Sequence, residues 1–291
     1  MKRRIVDPQV KLNEYLEQHP FLAETAALHQ SMQEVAAKTV KPVDLPENKE
    51  DTKLGIPLLQ QTAAKTALLE AAPTAYLHLL TGLSKVESFP KRLQETLRGF
   101  RAYMQKARVD RRRRILRMLL EQLDEDIRLW ALQEGQEETI LRMTGWLLID
   151  HLVPDVYRDA ERYEEEGVWQ KPYCPVCGRL PVLSQLAKQA EGRKRYLVCD
   201  GCRTKWVYKR VGCVYCGNDD LQKMHILDTE KEPMVRLDVC DACKSYLKTI
   251  NREDDPFIYL QDWTTLHMDL LAENEGFTKR GSIMAGNPAN E

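Results

Sequence analysis

All eight cysteines of this chain lie between positions 174 and 243, and all eight fall in Cys-x-x-Cys pairs. The pairs are Cys174/Cys177, Cys199/Cys202, Cys213/Cys216 and Cys240/Cys243. The first pair maps onto the third with an offset of 39 and the second onto the fourth with an offset of 41. The surroundings repeat as well: CPVCG parallels CVYCG, and YLVCDGC parallels LDVCDAC. Two similar units therefore follow one another.

Each unit is a closed set of four thiols, with 21 residues between the pairs in the first and 23 in the second. A Cys-x-x-Cys turn brings two sulfurs to one point, and the glycine after CPVC and CVYC can take a positive φ. Two such turns complete a tetrahedron around one ion, with metal–sulfur distances of about 2.3 Å. A unit of roughly 30 residues is too small to fold on its own core. Metal binding would contribute on the order of 10 kcal/mol per site, so units lacking metal are expected to be largely unfolded. Four sulfurs fill the coordination shell and leave no position for a catalytic water. Pairs two and three, ten residues apart, could also share an ion; the repeat argues for consecutive pairing. Rubredoxin holds iron, and zinc ribbons hold zinc, with the same ligands, and spacing does not separate them.

The rest of the chain reads as helical. Helices are expected from Asp7 to Pro20 and over 21–40, 58–72, 74–82, 88–108, 110–133 and 136–165, with Pro154 kinking the last. The proline-rich segment 41–57 reads as a loop. After Gly167 the texture changes, and strands are expected in 179–186, 194–199, 205–211, 224–227 and 235–240. A final helix is expected over 257–272, with a loose tail from Gly276. The fold class is thus mainly α with small β. A helical bundle (1–168) precedes two tandem four-cysteine units of rubredoxin-like or zinc-ribbon-like type (169–211 and 212–250), followed by a C-terminal helix and tail (251–291).

Formal net charge is −1 over 291 residues, which gives no global pull toward nucleic acid. No apolar run approaches the roughly 20 residues of a membrane span. Arg3-Arg4 lacks the apolar stretch that an export signal needs next, so a cytoplasmic protein is expected. Segment 98–117 carries nine basic residues and one acid, Asp110. It reads as a solvated helix face, neutralised by Glu121, Asp124, Glu125 and Asp126. Trp206 reads as cover for a metal unit. None of the six histidines forms a ligand or nucleophile motif, and no phosphate loop, dinucleotide fingerprint or nucleophile elbow occurs.

The stretches YCPVCGRLPV, RYLVCDGCRTKW, RVGCVYCG and VCDACKSYLKTI together resemble the FdhE family, the bacterial formate dehydrogenase accessory proteins. The likeness runs best from Tyr173 to Ile250, and the tail EGFTKRGSIMAGNP is also similar. Arg179 departs from it, standing where the family often has a small residue, a change expected only at the surface of the first knuckle. The resemblance implies a cytoplasmic maturation factor that is not an enzyme. Its implied partner is the catalytic subunit of formate dehydrogenase, which carries molybdenum or tungsten, selenocysteine or cysteine, and an iron–sulfur cluster. Its implied functional residues are the eight cysteines, and its implied metal is iron, with zinc left open. Two alternatives remain: a rubredoxin-like electron carrier acting on the dehydrogenase or its cofactor, and a zinc-ribbon nucleic-acid binder using the Arg111–Arg114 face. Self-association is left open.

Overall fold

The computed structural model describes residues 16–17, 19–164, 168–189, 192–228, 234–251 and 258–284. Most of the helix expected from Asp7 to Pro20 lies outside them. Among the described residues the first part is built from α1 (Ala23–Thr39), α2 (Lys49–Lys53), α3 (Thr62–Leu83), α4 (Lys91–Lys106), α5 (Val109–Leu120), α6 (Asp124–Glu134) and α7 (Glu138–Leu152). Helix α3 is central and packs against α1, α4, α5 and α7. Its fully buried Tyr76 shares a 2.7 Å hydrogen bond with Thr144 of α7.

Three helix boundaries differ from expectation. Helix α3 runs through Pro73, where a break was expected. Proline has no N–H for the carbonyl four residues back; here Arg113 Nε donates to that carbonyl, Leu69 O, at 3.3 Å. Segment 110–133, expected as one helix, breaks at Gln122, whose φ is 56°. The acids Asp124 and Glu125 then open α6, where they complement the helix dipole. Pro154 ends α7 instead of kinking a longer helix.

The β region is one seven-stranded sheet: β1 (Leu183–Gln189), β2 (Gly192–Val198), β3 (Lys205–Tyr208), β4 (Met224–Asp228), β5 (Val235–Cys240), β6 (Ser245–Ile250) and β7 (Thr278–Lys279). The order is β3-β2-β1-β6-β5-β4, with β7 also beside β6. The repeat is visible in that order. Each unit contributes an antiparallel triplet, and the triplets join head to tail where β1 runs parallel to β6, Leu183 opposite Lys248. Strand β6 was not among the expected strands, although an offset of 41 carries Lys205–Tyr208 onto Tyr246–Thr249.

Residues alternate between two cores across this sheet. Leu197 and Leu247 face a core continuous with the helices, which also contains Cys174, Cys177, Cys199, Cys202 and Trp206. Val198 and Tyr246 face a second core with Met268, Ala272 and Phe277. All six residues of β6 are buried.

The C-terminal segment is a short α8 (Gln261–Thr264) and α9 (Leu266–Asn274), broken at Thr265, rather than one helix. Residues 278–284 are tied down, contrary to the loose tail expected from Gly276. Lys279 pairs with Asp262 at 2.6 Å and Asp269 at 3.1 Å, and Lys248 reaches both acids at 2.9 Å. Two cations and two carboxylates thereby share one nearly dry site. Removing any single partner would leave a buried charge uncompensated.

Candidate metal centres

The four pairs assemble as two clusters. Cys174, Cys177, Cys199 and Cys202 form one, and Cys213, Cys216, Cys240 and Cys243 the other, with all sulfurs of a cluster within 4.8 Å of one another. Pairs two and three do not share a cluster. Sulfur separations of 3.4 to 3.5 Å in the first and 3.7 to 3.8 Å in the second are far beyond a disulfide. A tetrahedron with metal–sulfur bonds of about 2.3 Å has sulfurs about 3.8 Å apart. All-sulfur donors at this spacing fit one iron or zinc ion per cluster.

Backbone geometry builds each cluster twice over in the same way. In the first knuckle of each, the glycine after the second cysteine is left-handed, φ 80° at Gly178 and 75° at Gly217. The N–H of that glycine closes the turn onto Cys174 O at 2.9 Å or Cys213 O at 3.1 Å. In the second knuckle the same place is taken by Arg203 and Lys244, with φ 57° and 50°. Non-glycine residues are uncommon there. Arg203 is held by Asp150 of α7 at 2.6 Å, and Lys244 by Asp241 at 2.6 Å.

One hydroxyl per cluster escaped the sequence reading. Thr204 Oγ1 lies 3.1 Å from Cys202 Sγ, and Ser245 Oγ lies 2.8 Å from Cys243 Sγ. Both stand two residues after the last cysteine, and that coincidence across the repeat was the available signal. Burial pushes the Cys177 and Cys199 thiols well up. Burial opposes ionisation of Cys202 too, yet hydrogen bonds from the other three sulfurs and Thr204 hold it well below the usual thiol range. The second cluster repeats this: burial raises Cys213 to about 12, while hydrogen bonds from Ser245 and the neighbouring sulfurs hold Cys243 down. Binding of an ion displaces the protons of the raised thiols.

The clusters differ in their surroundings. All four cysteines of the first have no solvent exposure. In the second, Cys213 and Cys240 are buried, Cys243 is half-buried and Cys216 is exposed. Helices make the difference. The carbonyls of Pro175 and Val176 accept the Leu58 and Leu59 N–H groups at 2.8 Å, and Gln122 Nε2 donates to Cys177 O at 3.4 Å. Arg179, expected at a surface, is buried, stacks on Trp146 at 4.9 Å and lies 3.7 Å from Asp200.

The CDGC and CDAC motifs record the same asymmetry. A Cβ at Gly201 would stand 2.8 Å from the Trp146 ring and 2.9 Å from Arg179, whereas its counterpart Ala242 is exposed. Gly201→Ala is therefore expected to destabilise by about 1–3 kcal/mol, and Ala242→Gly by a few tenths. Paired denaturant titrations check this, and equal effects would contradict the packing described.

Two family models meet end to end on these clusters. The one described as "FdhE, central domain" matches residues 173–210, and "FdhE, C-terminal domain" matches 211–284. Residues 173–284 thus carry both matches to FdhE domains. An FdhE homolog of Aquifex aeolicus is 33% identical over 153 residues, covering 51% of this chain and 53% of that protein. An FdhE homolog of Haemophilus influenzae is 36% identical over 111 residues, covering 38% of this chain and 36% of that protein. The chain thus matches about half the length or less of these curated relatives. The crystal structure of the FdhE protein from Pseudomonas aeruginosa covers 94% of this chain and 93% of its own, with a TM-score of 0.62 at 20% identity. That likeness shows that the fold, helical part included, is shared with an FdhE protein.

The basic segment 98–117 is partly consumed inside the bundle. Arg112 is buried and donates to the Met104 and Ala107 carbonyls; Arg111 pairs with Glu134 and Arg113 with Asp110. The acids expected to neutralise it do other work: Glu121 meets Lys65, Asp124 meets Arg142, and Glu125 meets Arg128. No helix among the described residues is long and apolar enough to cross a membrane.

Proposed function

We propose that this chain is a cytoplasmic accessory protein in the maturation of formate dehydrogenase and is not itself an enzyme. On this reading it engages the catalytic subunit of that enzyme, and its eight cysteines hold two metal ions, four to each. The observation that carries the reading is the pair of closed four-sulfur clusters lying within the two FdhE family matches. Closed ligation offers no position for a substrate or a water at the ion, which supports a binding role over hydrolysis. Iron is favoured by the family resemblance, and zinc fits the same donors.

The half-exposed second cluster supports a second reading, electron transfer to the dehydrogenase or its cofactor. Iron in four thiolates supplies a one-electron couple; zinc supplies none. The nucleic-acid alternative loses support, because Arg111, Arg112 and Arg113 already have partners within the bundle.

The test is co-purification of the tagged chain with the dehydrogenase catalytic subunit, together with formate oxidation in cells lacking the endogenous protein. Capture of the subunit and restored oxidation are expected. Failure of both contradicts the maturation role. Full activity from zinc-loaded, iron-free protein contradicts electron transfer and leaves the binding role standing.

A further inference from the structure

The head-to-tail sheet has two ends, and they are treated differently. At one end β3 is covered by the helical part. The Lys205 N–H lies 3.5 Å from Arg158 O, and the turn Ala160–Tyr163 packs along the strand. At the other end β4 pairs with β5 on one side and with no strand among the described residues on the other.

The internal repeat shows what such an edge accepts. Strand β1 is the counterpart of β4 in the first unit, and its outer edge is filled by a parallel strand, β6. Strand β4 carries no proline, its register with β5 is unbroken by a bulge, and its one carboxylate, Asp228, stands at its end. His225 and Ile226, on opposite faces, are both exposed, Ile226 at 52%, and Leu221 beside them is 65% exposed. Exposed Cys216 lies in the knuckle just before.

Charge selects the occupant. Asp219 and Asp220, just before the turn that leads into β4, and Asp228 at the end of the strand are all exposed, and none of them forms an ion pair with a described residue. A second copy placed edge to edge would bring both sets of carboxylates to one seam, which is unfavourable. Head-to-tail growth onto a second copy is blocked by the cover on β3.

We propose that β4 is a docking edge for an extended segment of another polypeptide. That segment adds as a strand, carries lysine or arginine toward the three aspartates, and lays apolar side chains on Ile226 and Leu221. Main-chain hydrogen bonds supply affinity and alternate side chains supply selectivity. This goes beyond the dehydrogenase reading and does not depend on it.

The test uses the full chain with its metal. A short fluorescein-labelled peptide with a valine–threonine core and lysine at each end is titrated by anisotropy, and amide exchange is followed with and without it. Two control peptides carry glutamate for lysine, or N-methyl groups at alternate residues. Expected are binding of the lysine peptide, slowed exchange within Met224–Asp228, and affinity losses of about tenfold or more for both controls and for the double variant Ile226→Lys, Asp228→Lys. Those two side chains are exposed, so the variant is expected to fold, which its circular dichroism checks.

Equal binding of the N-methylated peptide would reduce the contact to charge alone and overturn strand addition. Absence of binding, protection elsewhere than β4, or a concentration-dependent dimer abolished by Ile226→Lys would overturn the proposal as well, the last by making a second copy the occupant.

Discussion

Cys199→Ser is expected to unfold the helical part of the molecule together with the sheet, whereas Cys240→Ser leaves the helices standing. The difference follows from which core each cluster occupies. The first cluster lies inside the apolar core that contains Leu68, Tyr76, Leu80 and Trp146. Its knuckle carbonyls take N–H groups from the segment before α3, and its second knuckle is tied through Arg203 to Asp150 of α7. A structural ion contributes on the order of 10 kcal/mol, while an entire domain is stable by about 5–15 kcal/mol. Loss of the first ion therefore removes most or all of the margin of the helical core.

Cys240 borders a unit whose buried residues fall mainly in the second core, with Val235, Val239 and Ile250. Its loss should melt β4 and β5 and spare α3. Amide exchange separates the outcomes: protection in 68–80 collapses in Cys199→Ser and persists in Cys240→Ser. Equal loss in both variants would show that the clusters are not mechanically distinct.

The second large effect concerns the order in which ions leave. A chelator must reach a sulfur or the ion itself. At the second cluster it meets exposed Cys216 directly; at the first it meets no exposed cysteine. Release from the first cluster requires partial opening of the core. If that opening costs about 3 kcal/mol more than local fraying at the second, release is about a hundredfold slower. Metal release into a chromophoric chelator is thus expected in two phases of equal amplitude, with Cys213→Ser abolishing the fast one. A single phase, or loss of the slow phase in that variant, would reverse the assignment.

Much of the candidate site was legible because the ligand pattern is covalently local. Four thiol pairs in a repeated frame specify two clusters almost independently of the fold around them, and the mainly helical class with a small sheet was legible from periodicity. What escaped depends on contacts distant in sequence. Helix α3 continues through Pro73 because Arg113, forty residues away, supplies the missing donor. The tail beyond Gly276 is composed like a loop, yet Lys279 completes a buried charge quartet. Arg179 reads as a surface residue until Trp146 and Asp200 are found against it.

Strand β6, Thr204 and Ser245 were within reach, since each follows from applying the offset of 41 beyond the cysteines themselves. The unequal exposure of the two clusters was encoded more faintly, in the glycine of CDGC against the alanine of CDAC. The positions of Trp146 and Arg179 explain why a methyl group is excluded from one and tolerated in the other.

X-ray absorption combined with elemental analysis on freshly purified full-length protein bears most directly on the pair of sulfur-bound ions. Two equivalents of iron or zinc per chain, each with four sulfur neighbours at about 2.3 Å, is the expected result. Fewer than two equivalents, or a shell in which nitrogen or oxygen replaces sulfur at either ion, would contradict the account.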